Sequence, residues 1–169
     1  MQLTSGGVLV AEHDPVGDGE AFAGDSFDDV LAVAIEAGLH LLVDFKSTGD
    51  PHAEAAALAG ALVGEQYRRQ VIVSSFDLPF LEAFAEREPT IEAMPIISMR
   101  QNFPVLPDLD RWAGASVLAA AVITHPILAW RMRRAGKFFV WFGAAEWSVI
   151  KNAMTRLGAD ALILKHPRR

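Results

Sequence analysis

A chain of 169 residues, 51% of them hydrophobic and none of them cysteine, is long enough to bury one sizeable core and holds no disulfide or thiolate metal site. Its 21 acidic residues outweigh 15 basic ones for a net charge of −6, which argues against nucleic acid as a partner because no basic stripe is there to neutralise phosphates. The lack of cysteine suits a reducing, cytoplasmic setting. The opening Met1-Gln2-Leu3-Thr4 shows no signal-peptide pattern. The most apolar segment, Ala115 to Trp130, is interrupted by Thr124, His125 and Pro126 and falls short of a membrane span.

In chain order, Gly6-Gly7 is a turn signal and Val8 to Ala11 reads as a short strand ending in Glu12-His13-Asp14-Pro15. A glycine-rich loop follows through Gly24. Ser26 then caps a helix whose apolar face is supplied by Phe27, Val30, Leu31, Val33, Ala34 and Ile35, and Gly38 stops it. His40 to Ser47 is the next strand. His52 to Arg69 is alanine-rich and helical, and Val71 to Asp77 is a strand. A helix from Phe80 to Glu88 precedes a strand from Met94 to Met99. Gln101 to Trp112 is looser, with Pro104 and Pro107, and Ser116 to Ala121 reads as another short strand. A helix from about His125 to Ala135 ends at Gly136, and its Arg131, Arg133 and Arg134 read as solvated charges. Phe138 to Phe142 is a strand, Glu146 to Leu157 a helix closed by Gly158, and Ala161 to Leu164 the last strand. Alternating strands and helices with short connections predict an α/β fold built on parallel strands, in one domain over residues 1–169.

The stretch Leu41-Leu42-Val43-Asp44-Phe45-Lys46 carries the strongest functional signal. Side chains alternate along a strand, so Asp44 and Lys46 share a face with Leu42, while Leu41, Val43 and Phe45 take the other. A strand apolar on both faces is expected between two layers. Two charges near its end are costly to bury unless paired with each other or with a ligand. Polar residues also gather just past other strand ends, at His13, Ser75, Asp77, Arg100 and His166, where α/β folds place their sites.

Five segments, in order, resemble glycerophosphodiester phosphodiesterases. Leu3 to Pro15 is similar to the strand that runs into that family's His-Asp pair, here His13-Asp14. Leu42-Val43-Asp44-Phe45-Lys46 resembles its Ile-Glu-Ile-Lys strand, with aspartate in place of glutamate. Val71 to Asp77 is similar to its Ile-Ser-Ser-Phe-Asp strand. Gly136 to Phe142 resembles its late tryptophan-bearing strand, with Trp141 near the tryptophan. Gly158 to Ile163 is similar to its closing Gly-Val-Asp-Gly-Ile-Ile. The resemblance implies a TIM-type β/α barrel and metal-dependent hydrolysis of glycerophosphodiesters to glycerol phosphate and an alcohol, within lipid and glycerol metabolism. It assigns His13 to acid–base catalysis, Lys46 to catalysis and phosphate binding, Asp44 to a divalent metal (Mg²⁺ or Ca²⁺) and Trp141 to substrate binding.

The family's early His-Arg motif and Glu-x-Asp strand have no counterpart, and a full barrel of this type takes about 250 residues. The resemblance therefore implies a barrel incomplete at the N-terminus, short of its first one or two β/α units. Lys165-His166 stands where the family has Thr-Asp. The partner expected is a small glycerophosphodiester. An alternative is a non-catalytic relative that binds a phosphorylated metabolite, or a chain that completes its barrel with a partner, for instance as a homo-oligomer. Read without the family, His13 is a turn residue, Ser74 and Ser75 bond to nearby backbone, and Trp141 belongs to a core. His52, His125 and His166 lack paired metal spacing. Gly17-Asp18-Gly19 fails as a dinucleotide loop because Phe22 occupies the third glycine position, and no Gly-Lys-Ser/Thr follows to make a P-loop.

Overall fold

The computed structural model describes residues 1–11, 24–64, 66–98, 110–118, 126–144 and 158–164. Of the sequence expectations, His13 with its neighbours Glu12 and Asp14, most of the 101–112 segment, Arg100, the 146–157 helix and His166 lie outside the described residues. The contacts divide the chain into two compact units, Met1–Ala93 and Met94–Arg169.

In the first unit, β1 (Gln2–Leu3) pairs antiparallel with β2 (Leu9–Val10). The turn between them is closed by Gly7 N–H on the Thr4 carbonyl at 2.9 Å and Val8 N–H on the Thr4 hydroxyl at 3.1 Å. Helix α1 (Phe27–Glu36) starts as its sequence requires: Ser26 Oγ accepts from Asp29 N–H at 3.2 Å and donates to the Asp29 carboxylate at 2.6 Å. Its buried stripe is Phe27, Leu31 and Ala34, spaced four and three apart as one helix face requires, so Val33 faces outward. Gly38, at φ +65°, ends the helix in the left-handed conformation a side chain resists.

Strand β3 (Leu41–Phe45) pairs in parallel with β4 (Val71–Ser75), Leu41 opposite Val71 and Phe45 opposite Ser75. The predicted helix over 52–69 is two helices, α2 (Pro51–Ala61) and the short α3 (Tyr67–Gln70). The chain leaves α2 at Leu62 and passes Gly64 at a positive φ that no helix accommodates. Asp77 does not extend β4. Ser75 Oγ accepts Asp77 N–H at 3.0 Å, and Asp77 caps α4 (Leu78–Arg87) by accepting from Phe80 N–H at 3.1 Å. Pro79 in the first turn removes no helical hydrogen bond there, so α4 starts two residues earlier than the sequence reading gave.

The core of this unit is built where α2 and α4 pack together. The Phe45 and Phe80 rings stack with centroids 4.2 Å apart and planes 6° from parallel, and Phe84 continues the row at 6.3 Å from Phe80. Leu58, Leu62 and Leu81 are fully buried with them.

The second unit holds four parallel strands in the order β5 (Glu92–Ile97), β6 (Gly114–Leu118), β7 (Phe138–Ala144), β8 (Ala161–Leu164); the boundary between the units falls within β5. Strand β5 begins two residues before Met94, and β6 begins at Gly114 rather than Ser116. Helix α5 (Pro126–Arg134) connects β6 to β7, buries Ala129 and Met132, and leaves Arg131, Arg133 and Arg134 exposed as expected. Gly136, at φ +64°, stops it. Lys137 then fixes the entry to β7, its ammonium donating to the carbonyls of Asp110 at 3.1 Å and Trp112 at 2.8 Å.

Two substitutions rank these contributions. Phe80→Ala empties the centre of the aromatic row and is expected to cost about 3–5 kcal/mol. Asp77→Ala removes only a cap and is expected to cost about 1 kcal/mol. Urea unfolding of both variants beside the parent chain checks the order; equal losses would mean that the row is not the centre of this core.

Candidate functional site

Period-two alternation divides the side chains of β3. Val43 and Phe45 are buried at 6% and 1% exposure, while Asp44 is exposed and Leu42 and Lys46 are half-buried. The expectation that both faces of this strand are covered is therefore met on one face only. Beside the strand lies a cleft of about 340 Å³ lined by residues 41–44 and Lys46, by Phe27 and Val30 of α1, and by Met1. Its walls are mostly apolar. Asp44 of β3 and Lys46 just past its end thus both line one open cleft.

The backbone under this site is fixed from several directions. Lys46 N–H donates to the Met1 carbonyl at 2.8 Å, which ties the start of the chain to the end of β3. On the β4 side, Ser75 Oγ donates to the Phe45 carbonyl at 2.7 Å, and Ser74 Oγ donates to the Val43 carbonyl at 3.3 Å. Both serines are buried. Their hydroxyls bond to the β3 backbone, and Asp77 caps α4 through Phe80 N–H.

Beyond β3 the loop 46–49 leads into α2, which Asp50 caps through His52 N–H at 2.9 Å. Here the structure holds a residue that sequence reasoning passed over. Glu54, 3% exposed, accepts from Ser47 Oγ at 2.5 Å and from the backbone N–H groups of Thr48 and Gly49 at 3.0 Å each. The signal for it was present: Asp50-Pro51 marks a helix start, which sets Glu54 in the first turn, beneath the loop. Successive backbone N–H groups of this kind make a concavity for an anion, and here a side-chain carboxylate already fills it. The amides of Thr48 and Gly49 are thus committed to Glu54.

Among the described residues, no three or more His, Cys, Asp or Glu side chains come together to hold a metal ion. Asp44 alone does not make a site for a hard divalent cation, which requires several oxygen ligands. His40 and His52 are exposed. Trp141 lies in β7, in register with Val117 of β6, but its side chain is outside the described set, as is His13.

No protein-family model matches the sequence, and no curated protein is significantly similar to it. Solved structures are similar in fold. A protein of Silicibacter pomeroyi assigned as a glycerophosphoryl diester phosphodiesterase superposes with a TM-score of 0.72 at 15% identity, over 84% of this chain and 53% of its own. A glycerophosphodiester phosphodiesterase of Parabacteroides distasonis gives 0.74 at 15% identity, over 96% of this chain and 76% of its own. A phosphodiesterase of Oleispira antarctica, solved with the product sn-glycerol-3-phosphate, gives 0.66 at 18% identity, over 82% and 56%. The chain thus spans about half the length of the first and the third. At these identities the likeness concerns fold: the chain has the α/β architecture of the TIM-type β/α barrel found in glycerophosphodiester phosphodiesterases.

Proposed function

We propose that the chain is a phosphoric diester hydrolase that cleaves small glycerophosphodiesters to glycerol phosphate and an alcohol, in glycerol and lipid metabolism. The observation that carries the reading is the shared face of β3, where Asp44 and Lys46 line one open cleft on a chain with the fold of such enzymes. The reading takes residues 1–169 as one domain of this type. A cytoplasmic setting goes with it, supported by the lack of cysteine.

Cleavage of a phosphodiester requires charge stabilisation at the phosphoryl oxygens, a nucleophile, and a proton for the departing alcohol. Lys46, which lines the cleft, supplies the first. Glycerol's own hydroxyl is the nucleophile: its oxygen bonds to phosphorus as the bond to the alcohol breaks, leaving a cyclic glycerol phosphate, and His13 carries the hydroxyl proton to the leaving oxygen; water then adds to phosphorus and opens the ring to glycerol phosphate. Trp141 packs against the substrate. A divalent cation, Mg²⁺ or Ca²⁺, belongs to the reading as a cofactor that offsets phosphoryl charge, with Asp44 as the ligand this chain offers. The described residues alone do not complete its coordination.

A second reading has support of its own. Because the described residues bring only Asp44 and Lys46 together and no carboxylate cluster, a non-catalytic relative that binds a phosphorylated metabolite, alone or with a partner chain, uses the same cleft without turnover.

Hydrolysis of glycerophosphocholine by the chain, with Mg²⁺, with Ca²⁺ and with chelator, separates the two. The hydrolase reading predicts metal-dependent release of choline, lowered about 10²–10⁴-fold by His13→Ala and about 10²–10³-fold by Lys46→Ala. No turnover under any condition, with sn-glycerol 3-phosphate still bound, would replace it with the binding reading. Asp44→Ala is expected to abolish the metal-dependent part of the rate while changing unfolding free energy by no more than about 0.5 kcal/mol, because Asp44 is exposed. A large loss of stability in urea would make Asp44 a structural residue instead.

A further inference from the structure

We infer that Glu54 is the positioning residue for Lys46: its carboxylate fixes the loop 46–49 and so sets where the Lys46 ammonium meets a phosphate. The inference rests on the reading of the cleft as a phosphate-ester site.

The geometry is that of a clamp. Ser47, Thr48 and Gly49 are consecutive, and each donates a hydrogen bond to the one carboxylate, at 2.5, 3.0 and 3.0 Å. A carboxylate at 3% exposure is costly to bury unless its oxygens are satisfied, and charge-assisted bonds of this type are the strong ones. Helix α2 does not depend on it for its start. Asp50 caps that helix, Pro51 occupies its first turn, and Ala55 and Leu58 supply its buried apolar contacts. The bonds of Glu54 serve the loop.

A lysine has a flexible four-carbon stem and carries a point charge rather than a planar fork, so where its ammonium can reach depends on where the backbone beneath it is held. On the N-terminal side that backbone is held by the Phe45 carbonyl accepting from Ser75 Oγ and by Lys46 N–H donating to Met1. On the C-terminal side it is held by Glu54. Without the carboxylate, Ser47 Oγ and two amides lose their acceptor together, and the chain leaving Lys46 is free to take other directions.

A double-mutant cycle read by calorimetric binding of sn-glycerol 3-phosphate to the whole chain tests this. Glu54→Ala is expected to weaken binding about tenfold when Lys46 is present. In the Lys46→Ala background the same change is expected to alter binding less than twofold, and Glu54→Asp to recover part of the affinity. A merely structural role would weaken binding equally in both backgrounds, and that result would overturn the inference while leaving the site intact. So would an unchanged affinity in Glu54→Ala. If wild type and Lys46→Ala both fail to bind, the reading of the cleft falls and the inference with it. Should Glu54→Ala not fold, Ser47→Ala removes one donor and leaves the two amide bonds; a threefold loss seen only with Lys46 present supports the clamp, and equal loss in both backgrounds overturns it.

Discussion

Where β3 stops pairing and the chain turns into α2, the backbone polar groups of residues 45–49 must find partners outside a strand ladder. They find them in three places. The Ser75 hydroxyl takes the Phe45 carbonyl, the Met1 carbonyl takes Lys46 N–H, and the Glu54 carboxylate takes the next three residues in succession. The first two satisfy single groups. Glu54 holds a whole turn through one charge, which makes the direction of the chain beyond Lys46 dependent on a residue eight positions away. The placement of the cleft's only described lysine follows from that constraint.

The same strand joins site to core. Because consecutive side chains point oppositely, the register that turns Asp44 and Lys46 toward the cleft also drives Phe45 inward, against Phe80, and lines Val43 with the buried face. A slip of one residue would exchange the two sets and expose the aromatic row. The parallel pairing with β4 and the Ser75 bond to the Phe45 carbonyl both oppose such a slip. Stability and the geometry of the candidate site thus depend on one register.

Much of this was legible in the sequence, and the parts that were not have physical reasons. Ser26 and Asp29 announced α1, Gly38 and Gly136 announced helix ends, and the run Leu41 to Phe45 announced β3; each of these is a local preference that the fold respects. Strand β1 went unread because two residues give no alternation to detect. Asp77 was read as the end of a strand, since a residue that follows β-branched and serine residues looks extended until Phe80 N–H is seen to take its carboxylate as a cap. Val33 was assigned to the buried side of α1 by hydrophobicity, although its angular position puts it outside the stripe of Phe27, Leu31 and Ala34. Glu54 was passed over because it lies in an alanine-rich helix, and two of its three partners are loop amides that carry no side-chain signature. The α/β class came from the alternation of strands and helices, and the common face of Asp44 and Lys46 from strand periodicity; these two carry the functional account.

The most direct test of that account is a backbone amide NMR titration of the chain with sn-glycerol 3-phosphate. If the cleft beside β3 is a phosphate-ester site, the largest saturable shifts fall on residues from Leu42 to Gly49, and Lys46→Ala removes them. Shifts that cluster away from β3, or that persist in Lys46→Ala, would contradict the assignment of the site.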